Sequence, residues 1–262
     1  MVYKVSKKVK LADKFHMVTV QCPDIAKKIK AGQFIMLQTD DHAEWLKFDY
    51  HGGTKTYINI VFEESPATKS LVGLKKGNTI GELVGPLGNP TDLKDFTNIC
   101  LVGQGAGIAS VYAVACAVKN KNNRIIAIIG TPSKKNLFWE DQVSKIADHI
   151  FVATEDGTKG RKGTVDLALK DILKKRLDVI YLAAPNAIMQ HISKMTTNFV
   201  KTIARVQVKG LEGVGLSGSD RVCFDNQIKL SCIDGPDFDA HKIDWEFMHY
   251  QNVPQDLVYK VR

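Results

Sequence analysis

Between Tyr3 and about Pro90 apolar residues recur at every second position, as in Met17-Val-Thr-Val20, Phe34-Ile-Met-Leu37, Tyr57-Ile-Asn-Ile-Val-Phe62 and Thr79-Ile-Gly-Glu-Leu-Val84. That period turns one face of each segment to a core and the other outward, which is the pattern of half-buried strands. Breaks at Ala31-Gly32, Gly52-Gly53 and Gly85-Pro86-Leu87-Gly88 keep the strands short and predict a small antiparallel β-barrel or sandwich over residues 1–97. Ser65 as a cap and Pro66 at the first helical position predict a turn or two of helix starting there.

After Asn98 the pattern becomes continuous apolar runs alternating with amphipathic stretches. The runs are Ile99 to Val102, Ile125 to Ile129, Ile150 to Ala153, Val179 to Ala183 and Thr202 to Val206, with helices expected near 108–120, 139–146, 164–174 and 186–200. Strands apolar on both faces, joined by helical crossovers, predict a doubly wound parallel sheet over 98–209. From Gly210 to Arg262 neither period is clear, and a long irregular tail is expected. Within it Trp245 and Tyr250 are expected to anchor by packing. The fold class is thus α/β plus β.

The first apolar run of the second region opens into Gly103-Gln104-Gly105-Ala106-Gly107-Ile108-Ala109. Glycines between a strand and a helix permit a sharp turn and expose helix N–H groups to an anion, although the same three glycines also suit a plain βα turn. Three more polar or glycine-bearing loops end neighbouring strands: Gly130-Thr131-Pro132-Ser133-Lys134, Thr154-Glu155-Asp156-Gly157, and Ala184-Pro185-Asn186-Ala187-Ile188-Met189. In a doubly wound sheet that edge is where a nucleotide is expected.

The net charge of +8 changes little, because the lysines fall in scattered pairs without interleaved aromatics and read as a solvated surface, not a nucleic-acid interface. Five cysteines, an odd number, with Cys100 and Cys116 in apolar segments expected to be buried, point to a reduced, cytoplasmic setting. No stretch reaches the roughly 18 apolar residues of a membrane span. The seven histidines show no metal-ligand spacing, and no residue is assigned a catalytic role.

The order of these regions, with Gly85-Pro-Leu-Gly-Asn-Pro90, Gly103 to Ala109, Asp156-Gly-Thr-Lys-Gly-Arg-Lys-Gly163 and Cys232-Ile-Asp-Gly-Pro-Asp-Phe-Asp-Ala-His241, resembles the ferredoxin reductase-like flavoproteins. Among them the chain is similar to the electron-transfer subunit of dihydroorotate dehydrogenase B and to the alpha subunit of NADH-dependent ferredoxin:NADP oxidoreductase, the sulfide dehydrogenase type. The resemblance implies FAD on the β domain, NAD or NADP on the doubly wound domain and a 2Fe-2S cluster in the tail. Hydride would pass from nicotinamide to flavin, and electrons would leave to a larger redox subunit. That partner would be like the beta subunit of ferredoxin:NADP oxidoreductase or the small subunit of glutamate synthase.

Carried over residue by residue, the dinucleotide positions are Gly103, Gln104, Gly105, Ala106, Gly107, Ile108, Thr131, Ser133, Thr154, Glu155, Asp156, Gly157, Pro185 and Met189. The loop with Ser133, Lys134 and Lys135 has no acid for a ribose 2′-hydroxyl, which leaves NADP open beside NAD. The family's Arg-x-Pro-Leu-Thr on the flavin strand is replaced by Ala43-Glu44-Trp45-Leu46-Lys47, with no arginine before Arg124. Trp45, Leu46, Lys47 and Thr68 are the residues left for FAD, either as a rebuilt site or as its remains. The four cluster positions hold Glu212, Ser217, Asp220 and Cys232, and Cys223 lies three residues beyond an expected ligand. One thiolate does not match the soft donors a cluster needs, so the tail is expected not to hold it. A second reading is a degenerate paralogue acting as a structural or regulatory subunit without redox work.

Overall fold

A computed structural model describes residues 2–119, 122–206 and 220–251. The N-terminal region builds β1 (Tyr3–Ala12), β2 (Phe15–Gln21), α1 (Pro23–Ala26), β3 (Phe34–Gln38), β4 (Leu46–Asp49), β5 (Tyr57–Glu63), α2 (Lys69–Gly73), β6 (Thr79–Ile80) and β7 (Glu82–Leu87). Its strands form two antiparallel sheets, ordered β5-β2-β1-β6 and β4-β3-β7, which enclose Val18, Val20, Ile35, Leu37, Ile58 and Ile60. The alternation expected from the sequence is present because those residues share the inward face. The run from Thr79 to Val84 is two strands and not one, since Gly81 turns its N–H to the Thr39 carbonyl. The helix begins later than expected: residues 66–68 form a turn, and Thr68 stands at the N-cap of α2 in place of Ser65.

The second region contains β8 (Asn98–Gln104), α3 (Gly107–Val118), β9 (Arg124–Thr131), α4 (Glu140–Ser144), β10 (His149–Thr154), β11 (Arg161–Lys162), α5 (Val165–Ile172), β12 (Val179–Ala183), α6 (Asn186–Thr196) and β13 (Lys201–Arg205). Its sheet runs β11-β10-β9-β8-β12-β13, parallel throughout. Both faces are covered, which is why the strands read as unbroken apolar runs. Ile99, Leu101, Ala127 and Ile129 face α3 and α4, while Cys100, Val102, Ile126 and Ile128 face α5 and α6. Phe15, Ala31 and Val61 of the β region join the first of these cores, so the two regions share apolar packing.

The described tail corrects the expectation of an irregular segment. It forms a hairpin of β14 (Arg221–Phe224) and β15 (Gln227–Leu230), an edge strand β16 (Asp237–Asp239) antiparallel to β13, and α7 (Trp245–Gln251). Trp245 is buried and donates from Nε1 to the Ala240 carbonyl at 3.0 Å. Tyr250's side chain lies outside the described residues. Cys100 is buried, but Cys116 is exposed on α3, facing away from the sheet.

Candidate functional site

Gly103, Gln104 and Gly105 carry the chain from β8 toward α3 under tight steric limits. Gly107 has the Ala183 carbonyl oxygen 2.0 Å from where a Cβ would be, so only glycine lets the start of α3 sit against the end of β12. Gly105 has φ +58 and faces open space, its nearest neighbour being the Phe15 ring at 4.0 Å. The conformation favours glycine, and the volume a side chain would fill is a cradle beside the first turn of α3. Gly105 N–H donates to the Gly130 carbonyl at 2.9 Å, which ties this loop to the end of β9.

The neighbouring loops lock onto this one. Gln104 is buried and donates from Nε2 to Glu155 Oε1 at 3.1 Å. Glu155 N–H and Asp156 N–H donate to the carbonyls of Thr131 and Pro132, at 3.2 and 3.1 Å. Asp156 accepts from both Thr158 Oγ1 and Thr158 N–H, and these bonds hold its carboxyl below the usual range. Thr131 and Thr154 are buried with hydroxyls donated to the carbonyls of Ser133 and Lys159. Ser133 Oγ donates to Asn136 Oδ1 at 2.8 Å, and Gly157 turns at φ +77. The structure thus brings together the glycine loop and the loops of residues 130–134 and 154–157. Thr131 and Thr154 act in it as loop builders.

Pro185 stands exposed at the N-cap of α6, near the same sheet edge. Met189 and Ile108, named from the sequence as cofactor residues, are fully buried and belong to the cores on opposite faces of the sheet. Their apolar side chains serve helix-to-sheet packing.

On the β region the sequence-named flavin residues divide, Trp45 and Lys47 meeting at Phe34 and Leu46 and Thr68 lying elsewhere. Leu46 turns inward against the barrel core. Thr68 Oγ1 donates to the Glu63 carbonyl at 2.7 Å and accepts from Ser65 N–H at 2.9 Å, closing its own turn. Lys47 Nζ lies 4.3 Å from the centroid of the Phe34 ring, and Trp45 packs beside Phe34, Met36 and Cys232. These residues do not reproduce a diphosphate clamp, and no guanidinium stands among them.

Of the cluster positions, Glu212 and Ser217 lie outside the described residues. Asp220 and Cys232 are buried and adjacent, with Cys232 N–H donating to Asp220 Oδ2 at 3.3 Å. Burial and the Asp220 carboxylate push the Cys232 thiol up to about 12. Cys223 sits in the hairpin ladder opposite Ile228, three residues and about 10 Å of strand from Asp220. Among the described residues no group of three or more His, Cys, Asp or Glu side chains is placed to hold a metal ion. Among the described residues, Asp220, Cys223 and Cys232 do not bring together the soft donors that a 2Fe-2S cluster takes.

One constellation escaped the sequence reading. Arg205, at the end of β13 and 4% exposed at its side chain, places Nη2 2.7 Å from Asp237 Oδ1 of β16 and Nη1 3.5 Å from Asp49 Oδ1 of β4. Ser110 Oγ of α3 donates to Asp49 Oδ2 at 2.7 Å, and Thr91 Oγ1 to Asp237 Oδ2 at 2.5 Å. Burial alone would raise both carboxyls; Arg205, His51 and Ser110 hold Asp49 below its usual range, while Asp237 stays above it. The available signal was a lone arginine inside the apolar run Thr202 to Val206.

No family profile matches the chain. It is 30% identical over 248 residues to the dihydroorotate dehydrogenase B (NAD(+)) electron transfer subunit homolog of Thermotoga maritima, covering 93% of this chain and 88% of that protein. The chain belongs to this electron transfer subunit family. Another relative of the subunit is an uncharacterized protein of the adh 3′ region in Clostridium beijerinckii, 29% identical over 98% of this chain and 90% of that one. Among solved structures the subunit superposes on a chain of the NADH-dependent reduced ferredoxin-NADP oxidoreductase, from work on flavin-based electron bifurcation. The TM-score is 0.89 at 29% identity, covering 96% of this chain and 92% of that one. The cytochrome P450 reductase of Amycolatopsis, at TM-score 0.64 and 16% identity, shares the fold. No described helix is long and apolar enough to cross a membrane.

Proposed function

We propose that this chain is the small, dinucleotide-binding subunit of a flavin-dependent NAD(P)H oxidoreductase complex, working beside a larger redox subunit. Gly105 carries the reading, because its open, left-handed turn beside α3 leaves room where a diphosphate can meet backbone N–H groups. Gln104 and Glu155 hold the flanking loop in place. A flavin bound in the complex supplies the hydride acceptor, and this chain's residues bind and orient the donor.

The same geometry supports acceptance of a 2′-phosphate. Glu155 is engaged by Gln104 and Asp156 by Thr158, whereas Lys134 and Lys135 stand exposed on the adjoining loop. The loop that carries Ser133, Lys134 and Lys135 offers a ribose 2′-position cations and no acid. Titration of the purified chain with NADH and NADPH, followed by nicotinamide fluorescence, tests both points. NADPH binds at least as tightly as NADH, and Gly105→Ala weakens both by about tenfold or more. Absence of binding by either dinucleotide overturns the reading, and a clear preference for NADH overturns the 2′-phosphate part. The visible spectrum of the same preparation reports its flavin.

A further inference from the structure

The helix that follows the glycine loop lies between the barrel and the parallel sheet. α3 buries Ile108, Ala109, Val111, Val114, Ala115 and Val118 in the core it shares with Phe15, Ala31 and Val61 of the barrel. Apolar burial has no direction, so by itself it does not fix how far a helix slides or rolls. A directional tie stands one turn into the helix. Ser110, 2% exposed, donates from Oγ to Asp49 Oδ2 of β4 at 2.7 Å. Among the described residues it is the polar side chain that ties α3 to the barrel, whereas Tyr112 and Cys116 bond to each other along the helix.

The packing beside that turn is incomplete. A cavity of about 10 Å³, room for one water, is lined by Ser110, Val111, Val114, Ala183, Arg205 and Asp237. Side-chain contact leaves a gap there, and the hydrogen bond spans from helix to strand next to it. Its acceptor is itself held in place. Arg205 Nη1 stands 3.5 Å from Asp49 Oδ1 and Nη2 2.7 Å from Asp237 Oδ1, while Thr91 Oγ1 donates to Asp237 Oδ2. A hydrogen bond to a carboxylate is about twice as strong as one between neutral groups. On the sheet side the same turn is limited by Gly107, which lies against the Ala183 carbonyl. Gly107 and Ser110 share the turn that follows Gly105, so these two contacts set where the cradle stands, one from the sheet and one from the barrel.

We propose that Ser110 and Asp49 are positioning residues for the dinucleotide, their bond setting the first turn of α3 so that its N–H groups meet the diphosphate beside Gly105. Both side chains are buried, and both act through the helix. The inference rests on the proposed function and names what keeps its cradle in register with the barrel.

Titration of the full chain with NADPH, followed by nicotinamide fluorescence, decides it together with urea unfolding of the same preparations. Ser110→Ala weakens NADPH binding about 3- to 10-fold, a part of the free energy of one charge-assisted hydrogen bond. Ser110→Thr, which keeps the hydroxyl, binds within about twofold of the wild type. Val114→Ala enlarges the same cavity and lowers the unfolding midpoint, yet also binds within about twofold. The inference is overturned when Ser110→Ala binds like the wild type, or when Ser110→Thr or Val114→Ala weakens binding as much as Ser110→Ala does. Should Ser110→Ala not fold, Ser110→Cys, with a weaker donor in the same place, is read by the same limits. A wild-type chain that binds neither NADPH nor NADH overturns the proposed function and this inference with it, whereas a binding wild type with an unaffected Ser110→Ala overturns this inference alone.

Discussion

Arg205 shows what a single side chain does in this fold. A guanidinium inside an apolar strand is costly unless its donors are taken up, and here carboxylates of β4 and β16 do so from two other parts of the chain. Removing the cation leaves Asp49 and Asp237 facing each other in a site where burial already holds Asp237 above its usual range. Arg205→Met therefore destabilises by about 3–5 kcal/mol, measurable by urea unfolding. Asp237→Asn costs less, because the amide keeps an acceptor for Thr91 and Arg205 while one negative charge disappears. A loss in Asp237→Asn as large as that in Arg205→Met would overturn this ordering. From the sequence, Arg205 is visible only as an interruption, since nothing in the spacing tells which carboxylates lie across from it.

At the scale of elements, α3 and the glycine loop separate two uses of glycine. Gly107 allows an approach, and a methyl there meets the Ala183 carbonyl, so α3 must lift from β12. Gly105 allows a conformation and leaves a space. Gly107→Ala is expected to lose stability by overpacking, about 1–3 kcal/mol. Gly105→Ala loses about 1 kcal/mol from its left-handed backbone and more from binding. Thermal melts alongside nucleotide titration separate the two, and similar profiles would refute the distinction. The strands and helices of this region were readable from periodicity. The tail was not, because β14, β15 and β16 have only 4, 4 and 3 residues, too few to display a period. β16 takes its order from β13, and β14 and β15 take theirs from each other.

For the molecule as a whole, His51 links folding to pH. It is buried between the β region and the Arg205 cluster, and its Nδ1 accepts from Val61 N–H at 3.0 Å, a role that requires the neutral ring. Burial lowers its pKa from 6.5 to about 4. Between those values the unfolded chain takes up a proton that the folded chain does not. Stability contributed by the neutral ring is complete above pH 6.5 and falls as pH drops toward 4, by about 3 kcal/mol in all. Unfolding midpoints measured from pH 7 to pH 5 should decline, and His51→Asn, which retains an acceptor, should flatten that part of the decline. An unchanged slope in the variant would assign the effect to other groups.

The sequence by itself determined the order of a barrel and a doubly wound sheet, the glycine loop between β8 and α3, and the residue identities that depart from the family resemblance at the flavin and cluster positions. Those are local properties, written in side-chain period, in glycine's backbone freedom and in the identity of a donor atom. Which covered face meets which was decided only by the tertiary structure. Residue period names the side of a strand that is buried and leaves open what buries it. Asp49 thus finds Arg205 and Asp237, and Lys47 comes to lie over Phe34, which packs with Cys232, across separations that no spacing rule reaches.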